Sequence, residues 1–307
     1  MDHLRIRLFG GLEVHTGQTL LPSFATEKSK NLFAFLVLNR DRLFHRHVLC
    51  GHFWGDQPDA DARKALRTAL WRIRSVLEPN QALRGTFLRV EGQHVGFPGT
   101  GDAWVDASEF AAGVGAPGRG GWGALSEDDA RRLVDAVSLY RGDLLEGTYD
   151  DWCLIARERL RMTFLTALER LMTYYREREE WLEAIDCGRQ LLREDPLREH
   201  VHRAIMECHV SMGNRPSALR QYGTCVRILR EELDIRPMEE TVRLYESVRA
   251  FEPMEDDPTS SNGETGKPES PAWLLAAEVE QALNAVYALT ERLEEARSAL
   301  EYQGNQP

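Results

Sequence analysis

The sequence is short of almost everything a catalyst or a membrane protein needs. No apolar run reaches the ~18 residues of a membrane span, and no signal-like apolar stretch opens the chain. The expectation is a cytoplasmic protein with no membrane partner. Cysteine is scarce: Cys50, Cys153, Cys187, Cys208 and Cys225 are odd in number and show no CxxC spacing. They read as buried thiols in a reducing compartment, not as a disulfide framework. His45, His47 and His52 lie close together but not as HExxH, and no cysteine or carboxylate pattern joins them, so no metal is expected. The Gly-rich run at 113–123 lacks GxxxxGKS/T and reads as a loop. With no nucleophile–base pair and no phosphate loop, the sequence predicts no enzyme and no cofactor.

Charge is unevenly spread. The 307 residues carry a net −11, which taken whole argues against a polyanionic partner. Residues 1–103 differ: they hold 14 Lys and Arg against 10 Asp and Glu, for +4, and six of the nine histidines. Residues 104–252 carry −7 and residues 253–307 carry −8. Beyond a Debye length of ~8 Å only the local field matters, so a basic head on an acidic body can still meet phosphates.

The densest positive stretch is Asp61–Glu78. Ala62, Leu66, Ala69, Leu70, Ile73 and Leu77 recur at helical spacing and make one apolar stripe. Arg63, Lys64, Arg67, Thr68, Trp71, Arg72, Arg74 and Ser75 fall off it. Asp61 is the expected cap, and Glu78-Pro79-Asn80 the expected stop. Taken alone, such a helix reads as a solvated charged face. Its neighbours change that reading. A helix at Arg46–Trp54 and a turn at Gly55–Ala60 precede it. Thr86–Val90 and Gln93–Phe97, joined at Glu91-Gly92, form a hairpin after it. Helix, turn, basic helix and hairpin in that order look like a winged helix, whose second helix enters a DNA major groove. Arg89, Gln93 and His94 lie near the hairpin tip, where they would touch the backbone or the minor groove.

Upstream, Leu4–Phe9, Leu12–His15 and a stretch around Leu20-Leu21 predict a small antiparallel sheet. Thr26–Asn39 predicts a helix capped by Thr26, with Leu32, Phe33, Leu36 and Val37 inward. Lys28 and Lys30 stand in its first turn, where the helix dipole disfavours cations. They are either surface lysines or phosphate contacts. Val105–Gly113 starts another helix.

From Ser126 to Ala250 the pattern is helical, with a capping box at Ser126–Asp129. A long helix opens at Asp150-Asp151-Trp152. Ala184-Ile185 recurs as Ala218-Leu219, and Leu171-Met172 as Ile205-Met206, each 34 residues on. That period marks stacked helix-turn-helix repeats. Trp152, Tyr174, Tyr175, Trp181 and Tyr222 either line a pocket for a small-molecule effector or pack between helices. Residues 252–271, rich in Pro, Ser, Gly and acid, read as a linker. In 272–303, Leu275, Val279, Ala282, Val286, Leu289, Leu293, Ala296 and Leu300 follow a heptad. This helix either pairs with its copy in a homodimer or docks on the repeats.

Two stretches carry a family likeness. LRIRLFGGLEV…EKSKNLFAFLVLNR…FWGD…ALRTALWRIRSVLE resembles the winged-helix domain of OmpR-type and antibiotic-regulatory-protein (SARP) transcription factors. YRGDLLEGTYDDWCLIARERLR…LLREDPLREHVHRAIMECHVSMGNRPSALRQYGTCVRILREELDIRP is similar to the bacterial transcriptional activator domain (BTAD) that follows it in that family. The resemblance implies a mainly α fold with a small β component. Residues 1–100 would be the winged-helix domain, 104–251 a TPR-like domain, 252–271 a linker and 272–303 an amphipathic helix. It places the recognition helix at Ala62–Leu77 and its groove-facing positions at Arg63, Lys64, Arg67 and Thr68. Arg72 and Arg74 would contact phosphates or brace the fold. Trp71 would pack under the wing or contact sugar and base. The turn Gly55–Ala60 matches the loop that faces RNA polymerase. The implied function is an activator that binds promoter repeats as a dimer. The alternative is a helical-repeat scaffold or effector sensor with little DNA binding of its own.

Overall fold

The computed structural model describes residues 4–40, 42–78, 85–98, 103–115 and 125–250. The linker and the heptad segment expected at 252–303 lie outside these, as does most of the Gly-rich run.

The chain opens with β1 (Leu4–Arg7), β2 (Glu13–Thr16) and β3 (Thr19–Leu20), an antiparallel meander in which Arg7 faces Glu13. Leu4 and Ile6 point into the core while Arg5 points out, as their alternation requires. A fourth strand, β7 (Ala103–Val105), joins β1 in parallel, giving the order β3-β2-β1-β7. It lies beyond the 1–100 unit expected for the head. The sequence places a helix start at Val105, whereas β7 ends there and α4 (Asp106–Val114) begins one residue later.

Between the sheet strands lie α1 (Glu27–Leu38), β4 (Phe44–His45), α2 (Arg46–Trp54), α3 (Asp59–Leu77), β5 (Arg89–Glu91) and β6 (His94–Gly96). The second sheet has the order β4-β6-β5. Its hairpin turns at Gly92-Gln93, one residue later than expected, because Glu91 still pairs with His94. Gly92 supplies the positive φ of 56° that a two-residue turn needs. β4, only two residues long, has no alternation signal and was not legible in the sequence.

The remainder is helical: α5 (Glu127–Leu139), α6 (Asp151–Glu177), α7 (Trp181–Glu194), α8 (Glu199–Ser211), α9 (Arg215–Leu233) and α10 (Glu239–Ala250). The ends of α6 and α8 stand 34 residues apart, as do the starts of α7 and α9. Ser126 caps α5, its hydroxyl accepting from the Asp129 N–H at 3.1 Å. α7 and α8 approach closely at Gly188, where an added side-chain carbon would lie 2.8 Å from Ile205. Cross-helix ion pairs fix the stack: Arg161 with Glu194 at 3.2 Å, and Arg176 with Glu207.

One apolar core runs from Leu4 through α3 and α6 to Cys208, so head and body are not separately packed. Backbone bonds cross between them: the Gly10 N–H to the Asp143 carbonyl at 2.8 Å, and the Leu145 N–H to the Leu8 carbonyl at 2.8 Å. The buried Asp106 carboxylate accepts from the N–H groups of Leu8, Phe9 and Ala107. Burial pushes its pKa up, against the lowering effect of those three donors. All five cysteines are free and buried, and desolvation raises the Cys187 and Cys225 thiols to about 12. No helix among the described residues is long and apolar enough to cross a membrane.

Candidate nucleic-acid interface

The candidate interface is built on α3. Its buried residues are Ala62, Leu66, Ala69, Leu70, Ile73 and Leu77, the full apolar stripe. The stripe packs on α1 and α2, which leaves the opposite face to water. Arg63, Lys64, Arg67 and Thr68 are exposed there, one and two turns from the helix start. The start itself differs from expectation. Pro58 is the capping residue, with no side-chain bond, and Asp61 lies inside the first turn with Asp59. Both acids then face the positive end of the helix dipole.

Trp71 is 67% exposed, so it does not pack under the wing. The Thr68 hydroxyl donates to the Lys64 carbonyl at 3.0 Å, leaving its oxygen lone pairs and methyl facing outward. Arg72 reaches across to α1 and donates to the Thr26 hydroxyl at 3.2 Å. Thr26 caps α1, accepting from the Ser29 N–H at 3.3 Å. Lys28 is exposed beside this cap, while Lys30 pairs with Glu27 at 3.4 Å. Lys28, Lys64, Thr68 and Arg72 line one shallow groove between the start of α1 and the middle of α3. A helix N-terminus with three cations beside it is suited to a phosphate, with Asp61 on the same groove offsetting one of them.

Arg74 faces inward along the helix end. Its Nε stands 3.8 Å from a Glu78 carboxylate whose side chain is fully buried. Glu78 holds the approach to the hairpin: it accepts from the N–H groups of Phe87 and Leu88 at 2.9 Å and of Gly85 at 3.1 Å. Sequence reasoning read Glu78 only as a helix stop, and no local pattern marks it as an anchor. On the hairpin, Arg89 pairs with Glu91 at 2.6 Å, Gln93 sits in the turn, and His94 is exposed with its ring edge-on to His45. His45 caps α2 through its Nδ1, and His52 packs on Phe35 and Phe53. No cluster of three metal-ligating side chains occurs among the described residues.

The head meets the body beside this interface. Asn31 of α1 donates to Asp150 at 2.8 Å, and Trp152 packs edge-on against Phe35. The five aromatics considered as pocket lining do not converge. Trp152 sits at this junction, Tyr174, Tyr175 and Trp181 pack on the main core, and Tyr222 stacks on Tyr245 at 4.1 Å.

Comparison with known proteins fits this geometry. Residues 105–249 match the family described as Bacterial transcriptional activator domain. Regulatory protein AfsR of Streptomyces griseus is 25% identical over 251 residues, covering 80% of this chain and 24% of the relative. The protein of that name from Streptomyces coelicolor is 25% identical over 252 residues, with 81% and 24% covered. The chain thus spans about a quarter of the length of these relatives. Among solved structures, Mycobacterium tuberculosis EmbR in complex with a low affinity phosphopeptide superposes with a TM-score of 0.62. At 21% identity, over 83% of this chain and 67% of that one, the likeness concerns the fold.

Proposed function

We propose that this chain is a SARP-type transcriptional regulator, on the match of residues 105–249 and the likeness to the regulatory proteins above, and that its head binds promoter DNA sequence-specifically and activates transcription. One observation carries this reading. Arg63, Lys64 and Arg67 project from a helix whose other side is wholly committed to the core, next to a hairpin held in place by Glu78. Base preference comes from the exposed row of α3, and most of the affinity from phosphate contacts at Lys28, Lys64 and Arg72. Trp71, Arg89, Gln93 and His94 extend the contact along the groove, and Lys30 and Arg74 steady it. Two copies bind repeated half-sites, and the exposed segment Gly55–Ala60, the turn after α2 and the first residues of α3, meets RNA polymerase in the cytoplasm.

Duplexes selected from genomic DNA and titrated by fluorescence anisotropy test this. Arg67→Ala is expected to lose roughly 1–3 kcal/mol of discrimination between selected and random sequence. Lys28→Ala weakens both equally and reduces the salt slope by about one. Equal, unchanged affinities for both variants overturn the assignment of the groove face. Absence of any DNA binding by the full chain leaves a helical scaffold instead.

A further inference from the structure

The helical array ends unfinished. α6 with α7 and α8 with α9 form two antiparallel hairpins, and α10 opens a third that has no second helix among the described residues. Packing thins out there. Met206, Ala218 and Val248 make a small cluster separate from the main core, and the side chains around it stay half-exposed. An open groove runs between α9 and α10, floored by Leu219, Tyr222, Val226 and Tyr245 and edged by Arg227, Arg230, Glu231 and Asp234. Arg227 is paired along the helix with Glu231 at 2.7 Å.

Gly223 lies on this groove in the middle of α9. A side-chain carbon added there would meet nothing within 4 Å. Glycine inside a helix is less stable than alanine, and no contact among the described residues requires it here. A bare backbone facing a groove suits the close approach of another helix.

The chain beyond Ala250 carries a sequence whose pattern matches such a helix. The chain leaves α10 at Ala250, and the 20 or so polar residues that follow reach roughly 25 Å as a flexible coil. That suffices to turn back over a groove α10 itself lines. The heptad from Leu275 to Leu300 then offers an apolar stripe in need of cover. The groove edge carries two arginines and two acids, so the fit rests on the apolar stripe and the reach of the tether, not on charge. We propose that this C-terminal segment folds back within the same chain as the second helix of the third hairpin. Its stripe lies in the α9–α10 groove over Gly223 and does not pair with a second copy.

The full chain tests this by thermal melting, hydrogen exchange and light scattering. Gly223→Ala in the otherwise native chain is expected to leave Tm unchanged or lower it, since the methyl lies under the docked helix. In a Leu289→Asp background, with the stripe released, the same change raises Tm by roughly 2 °C, the gain of helix propensity. Leu289→Asp alone speeds amide exchange across 219–234 and leaves the mass in solution unchanged. An equal rise in Tm from Gly223→Ala in both backgrounds overturns the proposal. So does a dimer that Leu289→Asp splits while exchange in α9 stays as it was. Protection of α9 that grows with protein concentration overturns it too, in favour of docking between copies.

Discussion

His202 shows what burial does to a single side chain. It is 2% exposed, with Nε2 3.0 Å from the Pro196 carbonyl and Nδ1 2.7 Å from the Gln221 amide. One nitrogen donates and the other accepts, which is the bonding of a neutral ring. Desolvation lowers its pKa below the ordinary 6.5, against the raising effects of the Pro196 carbonyl and Glu199. The unfolded chain therefore takes up its proton first as pH falls. The stability His202 contributes is fully present above pH 6.5 and is lost as pH drops through the lower folded value. Urea midpoints measured from pH 8 to 5 are expected to decline below 6.5, and His202→Gln to flatten that decline. Nothing in the sequence marks this histidine out, because its partners come from a loop and from α9.

At the level of elements, α3 was legible almost to the residue, since a 3.6-residue period over five turns is a long signal. Its start was not. Asp61 has the chemistry of a cap, but Pro58 lets the helix begin a turn earlier, with its fixed φ at the boundary. β4 and β7 escaped notice because two or three residues cannot display a period. Of the two places the resemblance allows Trp71, packing under the wing is ruled out by its exposure off the apolar stripe. The hairpin was foreseen, its tether to Glu78 was not. Glu78→Ala strands the buried N–H groups of Phe87 and Leu88 and is expected to cost about 2–4 kcal/mol in urea unfolding, with weaker DNA binding as the hairpin loosens. Glu78→Gln keeps an acceptor for Phe87 and Leu88 and should recover part of both.

For the whole molecule, local patterns predicted a basic head and an acidic helical body, and both are there. What the sequence did not reveal is that they share a core, because that depends on contacts about a hundred residues apart, such as Leu8 with Asp106. Residues 4–208, which that core spans, are therefore expected to unfold in one cooperative step. Tryptophan fluorescence and far-ultraviolet circular dichroism should give coincident midpoints in guanidinium, and a separate early loss of the head would refute the shared core. Under the proposed function two copies meet a promoter, and the seam at Asp106, Gly10 and Leu145 bears on how they would grip it. With that seam closed, the arginine row cannot swivel on the body, so each copy arrives as a rigid bracket. The distance and helical phase between paired half-sites must then be met by the DNA, and five extra base pairs would present the second half-site on the wrong side of the duplex.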